Sequence, residues 1–578
     1  MSRVMEEIGI MLELKNENPF KSRAYYSAAR IIDLMGDEEL ELLVREDKLK
    51  DVKGIGAALN EKLKELVQTG NLTYYKELKA SIPEGLFEIL KIPGLGPRKV
   101  RVLHDTLGIT TLAELEYACR ENRLVSLKGF GSKTQQNIID GIDLLRHHQG
   151  RHFYTEAKSR ADQLIAALRN VPEVINLSLA GSIRRCREIV KDIDLVAASD
   201  DSSLMGDIFS VLPDVEQVIA HGEKKVTVQL KGGINADLRV VKPEQFPYAL
   251  HHFTGSKEHN TALRSRAKSL GLKMNEYGLF RGDELIPCSS EEDLFAALGL
   301  VFIPPELREN NGEIEAAGKG VLPHLVEAAD IRGIFHLHTT YSDGSSSMEE
   351  LIQSCIDSGY EYIGISDHSQ SAFYAGGLKE DDLKQQEEEI HGLREKYPEL
   401  TIFWGIESDI RIDGSLDYSD SVLEQFDFVI ASVHSGLKME RNKMNERLKR
   451  VLEHPLVTIL GHPTNRLLLG REASALDLDL VFETAQNNEV VLELNANPAR
   501  LDLDWRYLKK ARDKGLRISI NPDAHNVEGI GDTDFGVAIA RKGWLEKKDI
   551  FNSMKRNDMK KYLETRRQLF SNTASDKG

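Results

Sequence analysis

Along roughly the first 150 residues, apolar positions recur at intervals of three and four with charged residues between them, which predicts helices almost throughout. The period then changes. Ile193 and Leu195 alternate with Asp192 and Asp194, and Val226-Thr227-Val228-Gln229-Leu230 turns through Lys231-Gly232-Gly233 into Ala236-Asp237-Leu238-Arg239-Val240, so a strand and a hairpin are expected. From Ile331 onward, short β-branched runs alternate with helical stretches. Seven such runs end in polar residues: His336 and His338, Asp367 and His368, Glu407, His434, His462, Asn495, and Asp523 with His525. Repeated strand–helix units with polar residues at the strand C-termini describe a parallel barrel whose chemistry lies on that face.

At 578 residues the chain is too long for one core, so two to four domains are expected. No apolar run is long enough to span a bilayer, and the start, Met1-Ser2-Arg3-Val4-Met5, lacks the charged-then-apolar pattern of a secretion signal. Four cysteines at no metal or disulfide spacing suit a reducing cytoplasm. The formal net charge of −17, with both halves acidic, argues against a general polyanion binder. Nucleic-acid binding would therefore use local patches and helix termini.

The middle of the chain carries the first candidate chemistry. On a strand, Asp192 and Asp194 share a face while Ile193 and Leu195 enter the core. Two carboxylates so close repel each other and are best explained by a divalent cation, Mg²⁺ or Mn²⁺, that also binds substrate phosphates. Asp237, from the hairpin, would complete a three-carboxylate site. Such a site holds two metals about 4 Å apart, one at the attacking oxygen and one at the leaving oxygens, which suits nucleotidyl transfer. Gly181-Ser182 offers backbone amides to a phosphate and Arg185 adds charge.

In the helical part, an apolar residue followed by Gly-apolar-Gly and a helix-like run occurs three times, at Gly54 and Gly56, Gly94 and Gly96, and Gly129 and Gly131. The pattern resembles the helix-hairpin-helix motif, whose glycines permit a tight turn and present helix N-terminal amides to a DNA phosphate without reading sequence. Pro19-Phe20-Lys21-Ser22-Arg23-Ala24-Tyr25, with Lys62 beyond, resembles the small amino-terminal domain of family X DNA polymerases. That resemblance implies that Lys21 and Tyr25 bind a downstream 5′-phosphate and that Lys62 forms a Schiff base with deoxyribose phosphate. The second lysine of the family's pocket is replaced by Ala58.

The ordered set Gly-Ser-x-Arg-Arg at 181–185, Asp-x-Asp at 192–194, Asp237, Phe-Thr-Gly-Ser at 253–256 and Asn-Glu-Tyr-Gly at 275–278 resembles the catalytic core of the same family. As implied, Asp192, Asp194 and Asp237 bind two metals, and Gly181, Ser182 and Arg185 contact the nucleotide triphosphate. Phe253 and Gly255 line the sugar pocket, Asn260 reaches the incoming base and Arg264 touches the template. Two departures stand out: His252 where Tyr is usual, and Lys191 where Gly is usual.

In the barrel, imidazole and carboxylate without thiolate suit Mn²⁺, Zn²⁺ or Fe²⁺. His-x-His-Thr-x-x-Ser-Asp-Gly at 336–344 resembles the signature of the polymerase and histidinol phosphatase (PHP) domain. The resemblance implies up to three metals: one on His336, His338, Glu407 and Asp523, one on Glu407, His434 and His462, and one on Asp343, His368 and His525.

The expected architecture is multidomain α+β and α/β. Residues 1–80 form a small helical DNA-binding domain, 81–150 helix-hairpin-helix fingers, 151–242 a nucleotidyltransferase palm and 243–308 a small thumb. Residues 309–330 form a flexible linker, and 331–578 a distorted (β/α)7 PHP barrel. The implied function is a monomeric, gap-filling repair DNA polymerase acting on primed or gapped DNA and dNTPs, with a metal-dependent 3′-5′ exonuclease or abasic-site cleaving activity. The alternatives are a PHP-type small-molecule phosphatase fused to a nucleotidyltransferase of non-DNA substrate, and a DNA-bridging scaffold.

Overall fold

The computed structural model describes residues 1–35, 42–46, 48–52, 54–125, 127–147 and 150–575; Lys53, within the first glycine repeat, lies outside them. The chain divides into two compact units, Met1–Arg120 with Leu124–Leu145, and Glu121–Arg123 with Arg146–Gly578.

In the first unit the described elements are helical, as the periodicity predicts. Helices α1 (Ala57–Thr69), α2 (Pro97–Leu107) and α3 (Ser132–His147) each follow one Gly-apolar-Gly repeat. The three turns are one structure used three times. Gly54, Gly94 and Gly129 have φ of +102°, +85° and +94°, where a Cβ would be strained. The following amides of Ile55, Leu95 and Phe130 donate to the carbonyls of Val52, Ile92 and Leu127 at 3.0–3.1 Å. Those three apolar side chains are buried in the unit's core, so each turn is pinned from below at a helix start.

The second unit begins with a five-stranded sheet. Its strands are β1 (Asn176–Leu179), β2 (Asp192–Ala198), β3 (Val215–His221), β4 (Lys225–Leu230) and β5 (Asn235–Val241), ordered β1-β2-β5-β4-β3. Strands β2 and β5 run parallel and the other pairs antiparallel. A four-residue helix, α4 (Gly181–Arg184), joins β1 to β2. Helices α5 (Phe246–Thr254) and α6 (Lys257–Ser269) and a small three-stranded sheet follow, with their own core around Tyr248, Leu263, Phe295 and Ile303.

Then come seven strands: β6 (Gly333–Leu337), β7 (Tyr362–Ile365), β8 (Thr401–Asp409), β9 (Phe428–Ser432), β10 (Ile459–Leu460), β11 (Val491–Asn495) and β12 (Ile518–Asn521). Each pairs in parallel with the next in chain order, and a bridge between Leu337 and Ala524 brings the ends together, so the barrel is nearly closed. Phe335, Phe403, Phe428 and Phe551 cluster against Met559 and Leu563 of the last helix.

Residues 309–330 correct an expectation. The Asn- and Gly-rich stretch read as a flexible linker contains a helix, Glu313–Lys319, and is tied down at both ends. Glu313 accepts from His259 and from the amides of Asn310 and Asn311, while the Val326 amide donates to Leu545 and Lys509 to the Asn311 carbonyl. Local composition signalled a connection. Its order comes from partners more than 50 residues away in sequence.

Candidate active sites of the sheet and the barrel

The strand pattern of β2 is as expected, with Ile193 and Leu195 fully buried and the two aspartates half-buried on the other face. Parallel pairing sets Asp194 opposite Asp237. Thr227 donates to Asp237 at 2.6 Å, and the Lys225 ammonium lies 2.6 Å from its other oxygen. Burial, then the charges of Asp192 and Asp237, push Asp194 up to about 6; Asp192 is also raised, by burial and then Asp237. Carboxylates that resist ionisation because they are buried beside one another form a site suited to positive charge. The turn before β2 fits against them. Gly181 has φ +58°, and a Cβ there would lie 2.0 Å from Asp194 Oδ2, so glycine is required on both counts.

Around this trio the structure places the other expected residues unevenly. Phe253 packs beneath Arg239, whose guanidinium is 4.1 Å from the ring centroid. Gly255 abuts Asn260, whose amide donates to the carbonyls of His252 (2.7 Å) and Gly255 (3.2 Å). His252 stands edge-on to Phe253, and Arg264 is exposed on α6. Arg185 is already engaged: its guanidinium donates to Glu309 (3.0 Å) and to the Thr254 carbonyl (2.6 Å). Arg239 and Lys225 went unnoticed in the sequence, although Asp237-x-Arg239 on a strand puts cation and carboxylate on one face.

In the barrel, His336, His338, Asp343, His368, Glu407, His434, His462, Asp523 and His525 all converge. Their donor atoms form overlapping groups: His338, Asp343, His368 and His525; His336, Glu407 and His462; His336, His338 and Asp523; and His368, Glu407 and His434. Both ring nitrogens of His338 and of His368, Nε2 of His336 and of His525, Glu407 Oε2 and Asp343 Oδ2 are buried without hydrogen-bond partners. Buried polar atoms in such numbers call for ligands, and this donor set fits divalent cations of the Mn²⁺, Zn²⁺ or Fe²⁺ type. Burial, then His525 and His368, holds His338 down at about 3, and burial, then Arg500, holds His462 at about 4, whereas neighbouring carboxylates raise His336, His368, His434 and His525 against burial. His336, His462 and Asp523 adopt φ of +64°, +25° and +53°, a strain concentrated where side chains must aim inward.

A supporting layer was missed in the sequence. Glu493, fully buried on β11, accepts from His336 Nδ1 at 2.6 Å, from Asn521 at 2.8 Å and from the His462 amide at 2.6 Å. Asp409 accepts from His434 Nδ1 at 2.5 Å. Asp367 takes no part in the clusters; it accepts from the Thr339 amide and hydroxyl, Ser342 and Gln386, bracing the 336–344 turn. The available signal was position: Asp409 ends its strand as the clustered histidines do, and Glu493 lies two residues before the end of its own, as Glu407 does.

In the first unit, Lys21, Tyr25 and Lys62 gather around Tyr74. Tyr25 stacks on it at 6.3 Å, and the Lys62 and Lys21 ammonium groups lie 4.8 and 5.8 Å from its centroid.

Family models match the chain in four places: a Helix-hairpin-helix domain over residues 1–72, a SAM-like Helix-hairpin-helix tandem over 87–143, the DNA polymerase beta thumb over 249–309 and the PHP domain over 335–497. A DNA polymerase/3'-5' exonuclease PolX of Bacillus subtilis is 38% identical over 566 residues, 97% of this chain and 98% of that one. A Repair DNA polymerase X of African swine fever virus is 29% identical across 28% of this chain and 97% of its own. A probable phosphatase of Thermoanaerobacter is 23% identical across 40% of this chain and 94% of its own.

Proposed function

Because the chain belongs to the family X DNA polymerases that carry a PHP domain, we propose that its two acidic centres divide the labour of one repair enzyme, the sheet extending a primer in short gaps and the barrel removing 3′-terminal nucleotides. It is a DNA polymerase and a 3′-5′ exonuclease. The observation that carries the division is the presence, within one compact unit, of two separate carboxylate-rich centres, one acid-only and one rich in buried imidazole.

At the sheet, Asp192, Asp194 and Asp237 would hold Mg²⁺ or Mn²⁺, which when bound would neutralise charge on the triphosphate and acidify the attacking hydroxyl. The chain's own residues do the positioning. Gly181 lets the 181–185 turn close onto Asp194, Ser182 offers a hydroxyl to phosphate, and Phe253, held by Arg239, with Gly255 and Asn260 shapes the sugar pocket. At the barrel, the nine residues would hold Mn²⁺, Zn²⁺ or Fe²⁺, which when bound would supply a nucleophile at neutral pH and stabilise charge on the phosphodiester. Glu493 and Asp409 fix the orientation of His336 and His434. The three glycine turns grip DNA phosphates through backbone amides. Lys21 and Tyr25 take a 5′-phosphate, and Lys62 is the candidate for abasic-sugar chemistry. No helix among the described residues is long and apolar enough to cross a membrane, and a cytoplasmic monomer fits this reading.

The test is a one-nucleotide-gapped duplex with a 5′-phosphate, given Mg²⁺ or Mn²⁺. Asp192→Ala/Asp194→Ala should abolish extension and spare 3′ degradation, and His336→Ala/His338→Ala the reverse. Loss of both activities in either variant contradicts the division.

A further inference from the structure

The barrel reaches the nucleotide-binding turn with a buried cation whose hydrogen bonds all go outside the barrel. Helix α7 (Thr533–Lys542) ends in Lys542, whose side chain is fully buried. Its ammonium donates to the Arg185 carbonyl (2.8 Å), the Glu309 carboxylate (2.7 Å) and the Glu306 carbonyl (3.3 Å), and lies over the Trp505 ring at 4.5 Å. All three hydrogen-bond acceptors belong to the polymerase part of the unit. An ammonium has three donors, and burying it is costly unless all are met. A lysine placed here therefore makes sense only through those partners.

The links continue toward the sugar pocket. Glu309, fixed by Lys542, accepts from Arg185 Nε, and Arg185 Nη1 donates to the Thr254 carbonyl, one residue before Gly255. Arg184, its neighbour, donates to the Thr254 hydroxyl at 2.7 Å and to Glu291 at 2.6 Å. Three residues beyond Arg185, Glu188 is held by Arg506 at 3.1 Å and Arg466 at 3.7 Å, both from the barrel. The segment 184–188 is thus fastened to the barrel on one side and to the Phe-Thr-Gly-Ser segment on the other.

We propose that Lys542 is a positioning residue for the incoming nucleotide: acting through Glu309 and Arg185, it sets the distance between the Gly181–Arg185 turn and Gly255, so the barrel tunes nucleotide affinity at the polymerase site. This rests on the assignment of polymerisation to the sheet.

The experiment uses the full chain, with Lys542→Met and with Lys542→Met/Glu309→Gln, the second removing both charges so that no buried carboxylate is left short of a partner. Single-nucleotide gap filling is measured against dNTP concentration, 3′ degradation is measured on the same preparations, and thermal midpoints are recorded. The expected result, for both variants, is a KM for dNTP raised about 10-fold or more with kcat changed less than about three-fold, and 3′ degradation unchanged. A parent that extends the primer and a folded double variant with unaltered KM overturn the proposal while leaving the polymerase assignment intact. Equal losses in extension and degradation overturn it in favour of a merely structural role. A parent that extends no primer removes the polymerase assignment itself, and the proposal with it.

Discussion

Asp194 carries the cost of a site built to hold metal. Its carboxyl titrates at about 6, above its ordinary 3.8, because burial and then Asp192 and Asp237 oppose its charge. A raised carboxyl pKa means that the folded, metal-free protein binds the proton more tightly than the unfolded chain. The group's favourable contribution is thus complete below about pH 4 and lost as pH rises through 6. In chelator at pH 7.5, Asp194→Asn should stabilise the protein by roughly 1–3 kcal/mol while abolishing extension; a lowered thermal midpoint would contradict this. Glu493 works in the opposite sense, since its carboxylate is held low, against burial, by His336. Glu493→Gln should weaken barrel metal affinity and 3′ degradation roughly 10–100-fold, measured by metal titration and nuclease assay, with gap filling untouched.

Among the elements, the tight turns are where one added methyl discriminates most. At Gly94 a Cβ would meet nothing within 4 Å, so Gly94→Ala suffers only its positive φ, about 1–2 kcal/mol. It should weaken DNA binding while leaving both active sites able to turn over saturating substrate, which a binding isotherm beside a turnover assay would show. At Gly181 the added Cβ would strike the Asp194 carboxylate. Gly181→Ala should therefore eliminate extension and spare 3′ degradation; extension within tenfold of the parent would mean that the turn can retreat. These elements were legible beforehand because their signals are local: period-two alternation in β2, glycine spacing before α1, α2 and α3, and histidines at strand ends. The order of residues 309–330 was not legible, because Glu313 and Asn311 find their partners in His259 and Lys509.

For the whole molecule, a net charge of −17 is compatible with DNA chemistry because phosphate contacts can be made by backbone amides at helix starts, which carry no formal charge. Metal binding at the barrel's clustered histidines and carboxylates should add to stability. Mn²⁺ at a hundred times its Kd should raise stability by about 2.7 kcal/mol per site, seen as a higher thermal midpoint that chelator reverses and that His336→Ala/His338→Ala abolishes. An unchanged midpoint in the parent would contradict tight binding.

The sequence by itself determined the kinds of element, their order, and which histidines and acids the barrel brings together, because spacing along a strand or a turn dictates which side chains share a face. Only the tertiary structure decided what supports the candidate site residues. Glu493 behind His336, Arg239 over Phe253 and Lys542 behind Arg185 are partnerships between positions 14 to 357 residues apart. No local period encodes them, since they form only when packing brings separate strands and helices within hydrogen-bonding reach.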